Sequence, residues 1–163
     1  MTYITPTTLR YQSFIDAALA DGWVASDGPW GKNEHDRTVQ LTKRLDELGG
    51  EIMISLVDRD FANRRYNRDT KDYDVTYTLD QHANAWFRED RKGPGYAKRE
   101  QAFTSLNVEV YNLPELIKEV NSCNVCHREV GKANLIPVAF ANAACVDCAP
   151  ELSAKLETPG WYN

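Results

Sequence analysis

The chain has 163 residues and a formal net charge of −5, with 42% hydrophobic and 26% charged residues. That suits one globular domain with a small appendage and excludes a chain held to nucleic acid by its overall charge. No apolar run approaches the roughly 18 residues that a membrane-spanning helix needs. The opening MTYITPTTLRYQSF has no basic start, apolar run or small-residue cleavage site, so a cytoplasmic protein with reduced thiols is expected.

In chain order, residues 5–20 read as a helix. Thr5 is the N-cap, Pro6 sits in the first turn, and Tyr11, Phe14, Ile15, Ala18 and Leu19 share one face. Residues 25–36 read as a loop. A second helix is expected over 37–48, with Leu41, Leu45 and Leu48 on one stripe and Gly49-Gly50 as its stop. EIMISLVD, 51–58, reads as a central strand, and YDVTYTL, 73–79, as a second strand. Asp80 then caps a helix over 80–91 carrying Ala83, Trp86 and Phe87. LNVEVYNL, 106–113, alternates as a third strand, and Pro114 opens a short helix to about Val120. The fold class expected is α+β: a small mixed sheet of at least three strands with helices over 1–121, then a separate unit over 122–163.

The chain's four cysteines stand as CNVC, 123–126, and CVDC, 145–148. Two C-x-x-C knuckles can close a tetrahedron round one zinc ion, and a metal stabilises a segment too short for a core of its own. Tandem pairs do not suit a thioredoxin-type redox centre. Iron of the rubredoxin kind is the second choice, disfavoured because His127 and Ala149, not glycine, follow each pair. Four thiolates leave no open position, so the expected metal is structural, one Zn²⁺ per chain.

Knuckle, two short extended runs around Gly131, then a helix bearing the second pair resembles a treble-clef zinc finger over about 121–157. The resemblance implies Cys123, Cys126, Cys145 and Cys148 as ligands. The spacing is similar to that of GATA-type and LIM-type fingers, but only Arg128, Lys132 and Lys155 are basic in this unit, which disfavours DNA reading by the finger. HNH endonucleases built on a treble clef need histidines on the hairpin and helix, and here only His127 stands between the cysteine pairs. The closing ETPGWYN is similar to that of short zinc-finger proteins of actinobacterial phages, which implies a viral origin and no particular activity.

The front unit shows no G-x-S-x-G, no phosphate loop and no paired-histidine motif among His35, His82 and His127. Asp58 and Asp60 at a strand end are the carboxylates that a Mg²⁺-dependent nuclease would use. Two stretches mix basic and aromatic residues: 59–71, with Arg59, Arg64, Arg65, Tyr66 and Arg68, and 88–100, with Arg91, Lys92, Tyr96, Lys98 and Arg99. Rings among guanidinium groups suit stacking on bases and contact with phosphate. A helix over 80–91 would bring both stretches to one end of the sheet and make the last strand parallel to the second; without it they fall at opposite ends of a meander. The expected function is a non-enzymatic zinc-binding regulator or inhibitor of a protein or nucleoprotein target, away from membranes. The alternatives are direct nucleic-acid binding through the two basic stretches and a metal-dependent nuclease.

Overall fold

The computed structural model describes residues 6–27, 35–90 and 99–157. Among these, three helices accompany a five-stranded antiparallel sheet and a two-stranded one, a mixed α+β fold. Helix α1, Pro6–Ala20, ends in a turn where Trp23 N donates to Ala18 O at 3.1 Å. Strands β1 (Val24–Asp27), β2 (Val39–Leu45), β3 (Gly50–Asn67), β4 (Asp72–Glu89) and β5 (Glu100–Ala102) follow as a meander, each hydrogen-bonded to its neighbour in sequence. Helix α2, Leu113–Val120, is capped by Asn112, whose side chain accepts from Glu115 N. Strands β6 (Ile136–Val138) and β7 (Asn142–Ala144) form a hairpin, and helix α3, Ala149–Glu157, closes the described chain.

One face of the sheet, called inner here, carries the core. Leu41 and Leu45 from β2, Ile52, Ile54 and Leu56 from β3, and Ala85 and Phe87 from β4 pack against Tyr11, Phe14 and Ala18 of α1. Leu116 and Val120 of α2, with Val108, complete it. Trp23 Nε1 donates to Tyr111 Oη at 2.6 Å, and Phe14 meets the same ring edge-on, so Tyr111 ties both ends of this unit together. Burial and the nearby Asp21 carboxylate, which accepts its hydroxyl, raise the Tyr111 pKa.

Two expected helices are strands. Leu41 and Leu45 lie on one side under either period, because four residues is close to one helical turn and is also two strand repeats. The strand wins because β2 pairs rung by rung with β3, Val39↔Leu56 to Leu45↔Gly50. Lys43, on the same side, reaches out to donate to Asp21 O at 2.7 Å. Residues 80–89 likewise continue β4: Ala85 and Phe87 point inward, while Trp86 lies on the other side opposite Met53. Asp80 caps nothing and accepts from Arg59 Nε at 2.8 Å. The expected strand over 106–113 is irregular. Asn107 accepts from Glu109 N, a local turn that competes with ladder pairing; Val108 is buried in the core, and Leu106, Tyr111 and Leu113 pack partly buried against it. No described strand is parallel to its neighbour, and the described sheet ends at β5, antiparallel to β4.

The β3–β4 ladder runs from Gly50↔Glu89 to Asn67↔Asp72, about 55 Å at ~3.3 Å per residue. Asn67 closes its tip by accepting from Asp69 N and Thr70 N. Residues 61–66 and 71–79 are all exposed, so the distal half stands out as an arm.

Gly50 sits where β3 leaves the tight turn and presses on β4: a Cβ there would lie 2.3 Å from Arg88 O and 2.5 Å from Phe87 Cζ. Gly50→Ala is therefore expected to lower stability by about 1–3 kcal/mol, read as a lower urea midpoint at unchanged m-value. A midpoint equal to the parent's would show that the two strands can part at no cost.

Candidate metal centre and binding arm

Helix α2 delivers the chain to Cys123. The first knuckle is held by Cys123 N donating to Arg128 O at 3.0 Å and His127 N to Cys123 O at 2.9 Å, with a single bridge between Ser122 and Glu129. His127 takes φ +61° to make that turn; its exposed ring lies beside Thr104, 3.5 Å from Nδ1 to Oγ1. Extended pairing does not develop around Gly131, where a short 3-10 turn, Lys132–Asn134, intervenes; the hairpin is β6–β7, turning at 139–141. It leads into the second knuckle, where Ala149 N donates to Cys145 O at 2.9 Å and α3 begins one residue after Cys148.

The four sulfurs all lie within 4.8 Å of one another, and Cys126 Sγ stands 3.8 Å from Cys145 Sγ. Four metal–sulfur bonds of about 2.3 Å make a tetrahedron whose edge is about 3.8 Å, so the donor set fits a metal ion. Sulfurs this close compete for protons. Hydrogen bonding from Cys148 to Cys145, then burial, pushes the Cys148 thiol up to about 12. Arg128 pulls Cys145 down to about 6 and lowers Cys126 as well. Its guanidinium lies 3.5 Å from both of those sulfurs and 2.9 Å from Asp147. A divalent ion with four thiolates carries a net charge of −2, and Arg128 is placed to offset part of it. The sequence marks Arg128 only as one of few basic residues in the unit; its position follows from the knuckle turn.

The metal unit has its own apolar cluster, Cys123, Leu135, Ala143, Ala144, Cys145 and Ala149. It meets the sheet along a polar seam that no motif announces. Buried Gln101 on β5 donates to Ser122 O and Asn124 Oδ1, both at 3.1 Å, and accepts from Lys132 Nζ at 2.8 Å. Asn124, inside the first knuckle, donates to Ala102 O, and Ala102 N donates to Ala141 O. Burial lowers the Lys132 pKa, opposed by Glu89 at 3.6 Å.

At Asp58 and Asp60 a side chain holds the place a cation would take. Arg37 reaches Asp58 at 3.2 and 3.3 Å and Asp60 at 3.5 Å. Asp58 is 1% exposed, and its bonds to Arg37 raise the Arg37 pKa. The pair ends the core where the arm begins.

The described parts of the two basic stretches are not brought together. The segment 59–71 is no loop but the distal half of β3 plus the tip, while residues 88–90 and 99–100 lie at the other end of the ladder. Arg91, Lys92, Tyr96 and Lys98 fall outside the described residues, as do Thr5 and the closing TPGWYN, while Arg99 lies just before β5. Arg59 is engaged with Asp80 and lies over the Phe61 ring. Arg64, Arg65, Tyr66 and Arg68 are exposed on the arm. Tyr73 and Tyr77 join Tyr66 there; the sequence shows them only as strand residues, and the register alone puts them beside it.

No protein-family model, curated protein or solved structure matches the chain. No described helix is long and apolar enough to cross a membrane.

Two substitutions probe these sites. Arg37→Ala takes the guanidinium away from a buried carboxylate and is expected to cost about 3–5 kcal/mol in urea unfolding; a loss under 1 kcal/mol would mean that other groups or water replace the guanidinium. Arg128→Ala is expected to weaken metal affinity about 10–100-fold, measured by competition with a chromophoric chelator. Unchanged affinity would reduce Arg128 to a surface residue.

Proposed function

We propose that the chain is a non-enzymatic zinc-binding regulator or inhibitor that acts by binding a protein or nucleoprotein target in the cytoplasm, with the β3–β4 arm as the element that makes contact. The observation that carries this reading is the arm itself. Strands of 18 residues extend far past the helices that cover their bases, and their exposed half displays tyrosines, aliphatic side chains and arginines. Such a surface is costly to leave in water unless something binds it.

Zinc is the ion that a set of four thiolates at tetrahedral spacing suits best, and a closed shell gives it a structural role. The order knuckle, hairpin, knuckle, helix supports a treble-clef arrangement over about 121–157, and residues 122–163 are proposed as the unit that folds on the ion. A phage origin remains part of the reading on the strength of the terminal likeness alone.

Elemental analysis is expected to give about one zinc per chain. Chelation should remove amide protection from residues 122–157 while Ile52, Ile54 and Phe87 keep theirs in hydrogen exchange. Iron in the protein, or no metal after refolding with zinc, would overturn the assignment. For the arm, residues 62–77 are replaced by an Asn-Gly turn. A partner retained from cell extract by the parent should be lost by this variant at unchanged zinc content; equal retention would remove the arm from the binding reading.

A further inference from the structure

The ladder register sorts the arm's side chains by face. Residues directly opposite one another in an antiparallel pair point the same way. The core side of β3, Ile52, Ile54 and Leu56, therefore continues through Ala62, Arg64 and Tyr66. Their partners on β4 are Tyr77, Val75 and Tyr73, with Leu79 next toward the base. Tyr66, Tyr73 and Tyr77 are 51–58% exposed. His35 stacks on Tyr77 at 4.5 Å and 10°, which adds a fourth ring to the same face.

Charge is sorted with them. Asp72, Asp74 and Asp80 point to the opposite face, pairing with Asn67, Arg65 and Arg59 in register. On the tyrosine face of the ladder Asp58 and Asp60 are both held by Arg37, and Asp69 lies in the tip turn. Arg37, Arg44, Arg59, Arg88 and Arg128 each sit in an ion pair. Arg64, Arg65 and Arg68 have no ion-pair partner among the described residues. Arg64 stands among the rings, and Arg68 and Lys71 stand at the tip just beyond Tyr66 and Tyr73.

From this arrangement we infer that the inner face of the arm binds single-stranded nucleic acid. The guanidinium groups of Arg64 and Arg68 complement phosphates. His35 takes one face of Tyr77 and Tyr66 meets Tyr73 edge-on at 5.3 Å, and the ring surface that stays exposed is offered to unstacked bases, which a duplex keeps hidden. Along β4 the side chains of one face recur about every 6.6 Å, so rings at Tyr73 and Tyr77 stand about 13 Å apart, with Val75 and its partner Arg64 between them. The inference rests on the reading of the arm as the binding element and names the nucleic-acid part of a nucleoprotein target as what it meets.

The test uses the zinc-loaded full chain and fluorescein-labelled mixed-sequence oligonucleotides, followed by anisotropy at about 50 and about 200 mM salt. Single-stranded DNA or RNA should bind more tightly than the matching duplex, the two single-stranded arms showing which sugar is preferred. Tyr73→Ala should weaken binding about fivefold to a hundredfold, and Tyr73→Phe should restore it. Arg64→Ala should lower the slope of log K against log salt by about 0.7. Thr76→Ala, on the opposite face, should change neither quantity, and circular dichroism should show every variant folded. No binding of single strands at the lower salt, equal or tighter binding of the duplex, or binding indifferent to Tyr73→Ala would overturn the inference. A nuclease-resistant protein captured through the arm, with no single-strand binding, would overturn it while leaving the arm as the binding element. Capture indifferent to arm removal would take away both.

Discussion

The 18-rung ladder between β3 and β4 is the constraint on which everything else in the front unit rests. Side-chain direction alternates along a strand, so one register decides both what is buried at the base and what is shown on the arm. Ile52, Ile54, Leu56 and Phe87 are each at most 1% exposed, and burial of such residues is worth about 1.5–3 kcal/mol apiece. A slip by one residue would turn either the β3 set or Phe87 to the outer face, so the core enforces the register. The arm makes no comparable contribution, since an isolated hairpin is marginal in water. Its order, and the side to which its tyrosines point, are borrowed from a core many residues away. Arg37 with Asp58 and Asp60 marks where one regime gives way to the other.

The metal unit is joined to that ladder by polar contacts more than by apolar ones. Gln101 touches Ser122, Asn124 and Lys132, and Lys132 lies over the Phe87 ring at 5.3 Å while pairing with Glu89. The knuckle that holds two metal ligands also holds Asn124, which hydrogen-bonds to β5 and β7. An ion that orders the knuckle would therefore also order β5.

Much of this was legible in the residues, and the two helices expected where strands stand share one cause. The spacing of the cysteines carries the four-sulfur cluster because knuckle geometry is local: each turn needs only its own few residues. Helix α1 is legible for the same reason, through Pro6 and the stripe of Tyr11, Phe14 and Ala18. Residues 37–48 and 80–91 mislead because Leu41 and Leu45, or Ala83 and Phe87, fit a helical turn as well as two strand repeats. Only the partner strand decides between them, and a partner strand is not local information. Arg37, Gln101 and Arg128 could not be singled out, since each acquires its role from residues 21, 21 and 17 positions away in the chain. The basic residues of 59–71 were visible as a group, but their division between two faces needed the register.

The meander makes nearly every contact of the sheet a contact between neighbours in the chain, and the contact of Trp23 and Phe14 with Tyr111 stands apart from that pattern. During synthesis the hairpins can close as they emerge, one after another, with little loop entropy to overcome. Helix α1 is made first, yet it cannot take its final place until residue 111 has left the ribosome. Its apolar face spends that interval against an unfinished sheet. Helix α1 is thus the element on which a chaperone or a misfolding route would act.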